Sequence, residues 1–260
     1  MMTEFDVSLG RAVQALENGH AAEAVRIARR LAAEQPDNCD VLELLGEALV
    51  EAGLLHEGIT VLEKVLELEP EELDVRYALG DAFFELGQSE RAADAYQAIL
   101  ERDEQQVDAL ISLGLVHFQQ QRPDQAEHYY RLALEIQPDA VFALQSLGDL
   151  CLAAGRVDEA RACLTKALEL DKDDPQSHYS LAELYYEQGD LSTAAEYCQS
   201  AIRLDPEFAF AFLTLGNISL DQDLVQEAAQ CFRTFLKLEN SPASQEIRDE
   251  VTALIKDLES

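Results

Sequence analysis

A ladder of small residues constrains this chain more than any other feature. Gly46, Gly80, Gly114, Gly148, Ala182 and Gly216 stand 34 residues apart without insertion or deletion, and each follows a leucine. A second ladder keeps the same step: Ala24, Gly58, Ala92, Ala126, Ala160, Ala194 and Ala228. A fixed period of this length marks a repeat architecture, in which each unit buries its apolar face only against its neighbours. The period therefore selects a solenoid over a single closed core for these 260 residues.

Placing the first ladder at position 8 divides the chain into an N-terminal tail (1–4), seven units (5–38, 39–72, 73–106, 107–140, 141–174, 175–208 and 209–242) and a C-terminal segment, 243–260. Positions 1–14 carry apolar residues at helical spacing, as in Leu73, Tyr77, Leu79, Phe83 and Phe84. Position 15 is usually glycine (Gly19, Gly53, Gly87, Gly155, Gly189), which fits a helix end with positive φ; Gln121 and Asp223 replace it twice. A second helix is predicted over about positions 18–31. Pro36, Pro70, Pro138 and Pro206 then punctuate the array, because proline cannot continue a helix. Small residues at positions 8 and 20 let two antiparallel helices approach, with the larger residue at position 24 packing nearby: Leu62, Tyr96, Tyr130, Leu164, Cys198 and Phe232. In the terminal segment Ile247, Val251, Leu254, Ile255 and Leu258 fall on one helical face, as expected of a helix that caps the last repeat.

This pattern resembles the tetratricopeptide repeat (TPR) family, most clearly in Leu79-Gly80, Phe83, Ala92 and Tyr96, and in Leu113-Gly114, Ala126, Tyr130, Ala133 and Pro138. The resemblance covers residues 5–242. It implies an all-α, right-handed superhelical solenoid of antiparallel helix pairs, with the first helix of each pair on the concave face. Two departures stand out. Position 4, often tryptophan in the family, holds Leu42, Arg76, Leu110, Leu144, His178 and Phe212, and Arg11 occupies the leucine place of the first unit.

Composition narrows the partner. A formal net charge of -32 argues against nucleic acid and against an anionic membrane, and favours a basic partner met in a salt-sensitive encounter. Hydrophobic residues make up 48% of the chain, so it folds despite that charge. No apolar run reaches the ~18 residues of a membrane span, and the first ten residues have no signal-peptide pattern. Cys39, Cys151, Cys163, Cys198 and Cys231 are unevenly spaced and form no CxxC, which suits a reducing, cytoplasmic setting. The five histidines are scattered, and no phosphate-binding loop or HExxH is present. The expectation is a non-enzyme with no catalytic residues, no metal site and no cofactor.

Charge is distributed by helix. Positions 1–14 of the second to seventh units carry twelve acids and one base, Arg76. Asp40, Asp74 and Asp108, at position 2, sit where the helix dipole favours an acid. Glu47, Asp81, Asp149 and Glu183, at position 9, are mid-helix, and Asn217 continues their ladder. Glu51, Glu85 and Glu187, at position 13, lie where the dipole disfavours an acid. A solvated face and a binding face both account for these two ladders. Read as binding, the groove comprises Glu43, Glu47, Glu51, Asp74, Tyr77, Asp81, Phe84, Glu85, Asp149, Tyr179, Glu183, Tyr186 and Asn217.

The expected function is a protein–protein adaptor whose acidic, aromatic-containing groove binds a basic, partly apolar segment. The alternative is a scaffold that self-assembles through repeat ends or convex faces; the oligomeric state stays open. One function of the family is disfavoured residue by residue. A carboxylate clamp for Hsp70/Hsp90 tails uses Lys and Asn at positions 5 and 9, Asn at 6 of the next unit, and Lys and Arg at 2 and 6 of the third. Units two to four present Glu43, Glu47, Ala78, Asp108 and Ser112 instead.

Overall fold

A computed structural model describes residues 4–258, and among these it contains fifteen α-helices, one 3-10 turn and no strand. The chain divides into two compact halves, Met1–Ile136 and Gln137–Ser260. The N-terminal half holds α1 (Glu4–Glu17), α2 (Ala21–Glu34), α3 (Cys39–Glu51), α4 (Leu55–Leu68), α5 (Leu73–Glu85), α6 (Ser89–Leu100), α7 (Val107–Gln119) and α8 (Pro123–Ile136). The C-terminal half holds α9 (Val141–Ala153), α10 (Val157–Leu170), α11 (Pro175–Glu187), α12 (Leu191–Leu204), α13 (Ala209–Asp221), α14 (Val225–Leu238) and α15 (Gln245–Leu258). Of the expected N-terminal tail, residues 1–3 lie outside the described residues, and Glu4 already belongs to α1. Residues 259–260 of the C-terminal segment also lie outside them.

Within each pair the small rung is dictated by what faces it. A methyl group on Gly46, Gly80, Gly114, Gly148 or Gly216 would overlap Leu62, Tyr96, Tyr130, Leu164 or Phe232 respectively. Interiors packed to crystal density do not absorb such an overlap without displacing a helix. Ala182 is the rung that does carry a methyl, and it shares its core cluster with Cys198, the smallest side chain at position 24 from the second unit onward.

The first helices end alike whatever residue closes them. In α1, Gly19 (φ 71°) donates its N–H to Leu16 O and His20 donates to Ala15 O, both at 2.8 Å. In α7, Gln121 (φ 58°) donates to Phe118 O and Arg122 to His117 O, both at 2.9 Å. The paired bonds satisfy the last carbonyls of the helix. Gln121 and Asp223 (φ 61°) hold this left-handed geometry without glycine's freedom, so they carry strain that their counterparts lack.

Long cations tie successive pairs together on the second-helix side. Arg29 pairs with Glu57 at 2.6 Å, Lys64 with Asp37 at 2.9 Å, and Arg91 with Glu63 at 2.7 Å. Arg102 pairs with Glu71, and Lys166 donates to Pro138 O. In these ion pairs the acid lies on a second helix or a loop. The first-helix base Arg76 is turned onto Pro70 O at 2.6 Å.

At the C-terminal end, α15 lays Val251, Leu254, Ile255 and Leu258 against a core containing Phe232 and Phe235. Ile247 departs from the expected face. It lies one turn before the packed stripe and is 36% exposed, because the stripe begins only at Val251.

Candidate functional site

The first helices of the N-terminal half bring several acids into one place. A cleft of about 650 Å³ is lined by Glu47, Val50 and Glu51 of α3, by Asp74, Tyr77, Ala78 and Asp81 of α5, and by Gln106 and Asp108 at the start of α7. A second cleft, of about 510 Å³, lies between α1 and α3 and collects Glu17, Asp40, Glu43, Glu47 and Glu51 beside Val13, Leu16 and Leu44. Glu47 and Glu51 line both, so they stand on the ridge between the two. Helical spacing explains the gathering. Glu43, Glu47 and Glu51 are one turn apart on α3, as are Asp74, Tyr77 and Asp81 on α5.

Crowding of like charge has an electrostatic result. Burial pushes the Glu47 carboxyl above the usual carboxylate range, and Asp74 adds to this. Burial also raises Glu43, with Glu47, Glu72, Asp74 and Asp40 contributing. Neither residue has a hydrogen-bond donor among the described residues. Tyr77 is half-buried with its hydroxyl shut off from water, and burial followed by Asp108 raises its phenol, while a backbone hydrogen bond at Ala109 works the other way.

The C-terminal half places Asp149, Tyr179 and Glu183 in a smaller cleft, of about 240 Å³, with Leu152, Ala153, Gln176, Ser180 and Glu187. Here the acids have partners. Thr214 Oγ1 donates to Glu183 Oε1 at 2.7 Å. Asp149 is raised by burial and by Glu183, while a hydrogen bond from Ser180 works the other way. Burial, with Glu183, raises the Tyr179 phenol well above its ordinary value.

The remaining expected site residues are not drawn into these clefts. Phe84 packs partly on the core around Leu79 and Phe83, and Glu85 is exposed near the end of α5. Tyr186 donates to Asp221 Oδ2 at 2.9 Å, and burial and that bond push its phenol up to about 12. Asn217 is half-buried on α13. Also on α13, Phe210 and Leu213 join the core of the last pair, with Phe210 edge-on to Phe235 at 5.7 Å.

The pattern missing from the sequence reading is an offset of 31 residues. Asp149 meets Ser180 and Glu183 meets Thr214, so position 9 of one unit faces position 6 of the next. In the N-terminal half Tyr96 donates to Asp81 Oδ1 at 2.6 Å. Ser112, Ser180 and Thr214 all stand at position 6, and that alternation of acid and hydroxyl was visible in the sequence. The counterpart of Glu47 is Ala78, which has nothing to donate.

Residues with catalytic or metal-binding chemistry have structural surroundings. His117 stacks on Tyr129 with ring centres 5.3 Å apart, and burial lowers its pKa. His178 Nε2 lies 3.1 Å from Lys172 O. The buried Cys198 thiol is pushed up to about 12, mainly by burial, which leaves it protonated and unreactive. Among the described residues no group of three or more His, Cys, Asp or Glu has the arrangement to hold a metal ion, and no helix is long and apolar enough to cross a membrane.

The helix pairs, with small rungs facing large residues, agree with what sequence-family models recognise. A tetratricopeptide repeat model matches residues 77–141 and 146–207. A model of anaphase-promoting complex (cyclosome) subunit 3 matches residues 17–99. The chain belongs to the tetratricopeptide repeat family. Among solved structures, a TPR protein from Parabacteroides merdae superposes with a TM-score of 0.79 at 20% identity, over 97% of this chain and 98% of that one. MamA matches with a TM-score of 0.55 at 28% identity, over 66% of this chain and 96% of its own. A chain of the APC/C hetero-tetramer Cut9–Hcn1 matches with a TM-score of 0.77 at 15% identity, over 95% of this chain and 49% of that one. No curated protein sequence matches. TPR proteins are generally non-enzymatic scaffolds for protein–protein interaction, and these comparisons indicate no catalytic family.

Proposed function

We propose that this TPR protein is an adaptor whose acidic first-helix face receives a basic segment of a partner protein. One observation carries the reading. Glu47, Glu51, Asp74, Asp81 and Asp108 converge on one cleft from three helices, while Arg29, Lys64, Arg91 and Arg102 are engaged elsewhere. A cation entering that cleft relieves repulsion that the fold itself leaves unrelieved, so charge recognition and rate both favour a Lys- or Arg-rich segment. The cleft of Asp149, Tyr179 and Glu183 is the corresponding place in the C-terminal half, with Tyr186 and Asn217 on the same helix set. The matched chain from Cut9–Hcn1 belongs to a multi-protein assembly, which supports an adaptor role. The unevenly spaced cysteines support the cytoplasm as the setting.

The test uses Glu47→Gln/Glu51→Gln/Asp74→Asn in the full chain, with an arginine-rich fluorescent peptide as the probe. We expect at least a tenfold loss of affinity and a steep salt dependence in the wild type. Equal affinity of wild type and variant would remove the reading. A second reading, self-association, is favoured by Leu68 and Ile136, which recur at the end of second helices and are 43% and 41% exposed. A monomeric mass at raised concentration would end it.

A further inference from the structure

The second helix of the third unit is cut short. α6 has 12 residues where α2, α4, α8, α10, α12 and α14 have 14 each. Five of those longer helices, α4, α8, α10, α12 and α14, end on a large apolar residue: Leu68, Ile136, Leu170, Leu204 and Leu238. The corresponding residue beyond α6 is Arg102, within the run Glu101-Arg102-Asp103-Glu104. Helices in proteins are held mostly by packing of an apolar face, and this run has none to offer, so the helix stops at Leu100. Asp103 orders the six-residue loop that follows, accepting from the Gln105 N–H at 3.0 Å and from the Gln106 amide at 2.8 Å.

A cleft of about 460 Å³ lies beside this loop, with apolar walls from Leu100 of α6, Leu110 of α7 and Tyr129, Leu132 and Ile136 of α8. Leu110 is buried, Leu100, Tyr129 and Leu132 are half-buried, and Ile136 is 41% exposed. The Tyr129 ring is held from two sides, stacked on His117 and tilted to His128 with ring centres 5.5 Å apart. The cleft is thus preformed, and its volume falls in the range in which proteins bury ligand groups. Its rim is acidic. Glu104 of the loop and Glu135 of α8 line it and are exposed, and neither has a cation or hydrogen-bond donor among the described residues. The cations closest in sequence are used elsewhere: Arg102 pairs with Glu71 and Arg131 with Glu127.

We propose that this cleft between α6 and α8 is a second docking site, which takes a large apolar side chain flanked by Lys or Arg from a partner protein. The apolar side chain packs on Leu100, Tyr129, Leu132 and Ile136, and the flanking cations meet Glu104 and Glu135. Charge decides the occupant. A second copy of this chain would bring a net charge of -32 to an acidic rim, and an anionic lipid surface would be repelled in the same way. A desolvated apolar anchor in a preformed pocket is where protein interfaces concentrate their binding energy. The site shares no lining residue with the clefts on the first helices, so it stands whether or not those receive a basic segment.

The experiment uses the full chain carrying Glu47→Gln/Glu51→Gln/Asp74→Asn, which weakens the first-helix cleft, and anisotropy of fluorescein-labelled peptides in a Gly/Ser background. One peptide carries Phe between two Arg, one has Ser in place of Phe, and one has Glu in place of both Arg. We expect the first to bind about tenfold tighter than either of the others. Adding Ile136→Ser should remove most of the advantage of Phe and leave the Ser peptide unchanged. Adding Glu104→Gln/Glu135→Gln should weaken the Phe peptide about fivefold. All three of these side chains are exposed, so the fold is retained, which far-UV circular dichroism checks. Failure of the Phe peptide to bind, equal binding of the Ser or Glu peptide, or binding that ignores either added change overturns the proposal. A wild-type mass that rises with concentration but stays monomeric in Ile136→Ser would give the cleft to a second copy and overturn it as well. None of these results bears on the first-helix cleft, which is tested by comparing the wild type with Glu47→Gln/Glu51→Gln/Asp74→Asn.

Discussion

Glu183 in the C-terminal half and Glu47 in the N-terminal half use the same repeat position for different ends. In the C-terminal half, Glu183 at position 9 accepts from Thr214, and Asp149 shares a cleft with Ser180. In the N-terminal half, Glu47 at that position has Ala78 opposite and stays half-buried without a donor. A carboxylate that already has its hydrogen bond stabilises the fold and has less to offer a ligand; one without it is stabilised by whatever cation arrives. The presence of a hydroxyl 31 residues downstream thus separates a structural acid from one available for recognition.

Altering that hydroxyl should have the largest effect. Thr214→Val leaves Glu183 without its donor, and we expect a loss of about 1–3 kcal/mol in urea unfolding followed by far-UV circular dichroism. The reciprocal change, Ala78→Ser, supplies Glu47 with a donor. It should stabilise by about 0.5–1 kcal/mol and weaken binding of the arginine-rich peptide. If both changes act with the same sign on stability, the contrast between the halves fails.

The helix ends provide a control in which the halves should agree. Gln121→Gly and Asp223→Gly each remove left-handed strain, and each should raise stability by up to about 1 kcal/mol. The gain should be smaller for Asp223, because aspartate tolerates this conformation better than glutamine. A loss of stability at either site would show that the side chain contributes more than its backbone costs.

A smaller effect concerns pH. Glu43 and Glu47 have carboxyls raised by burial and by neighbouring acids, so their folded pKa values lie above the unfolded ones. Their contribution to stability is fully present below the unfolded carboxylate range of about 4.3 and is lost as pH rises through the raised values. Between neutral pH and that range this contribution grows with acidification, opposite to a carboxylate held by a donor. Glu47→Gln should raise stability at neutral pH by about 0.5 kcal/mol and flatten this part of the profile. An unchanged profile would mean that the repulsion in the cleft is screened by solvent.

Much of the fold was legible in the sequence because it is written in sterics. Gly80 and Tyr96 sit 16 residues apart in one unit, and two helices of those lengths can meet only there. The left-handed turns at Gln121 and Asp223 were legible because their place in the period identified them when their residue type did not. The site was less legible. Helical spacing puts Glu47 and Asp81 at the same place on their helices, but the divergence between them depends on which side chains, such as Tyr96, come within reach. Ile247 shows the same limit at the C-terminal end: a helical face can be read from periodicity, but where along it packing begins depends on the partner surface.

The small rungs also bear on how such a chain can change. Gly80 and Tyr96, or Gly216 and Phe232, fill one volume between them, so neither can be exchanged freely while the other stays. Ala182 with Cys198 is the compensated form, in which a methyl gained on one helix is matched by a smaller side chain on the other. Substitutions at positions 8 and 24 are therefore coupled, and their energies will not add. Position 9 lies outside that shared volume, which is why one repeat can carry Asp81 and the next Leu115 on the same backbone.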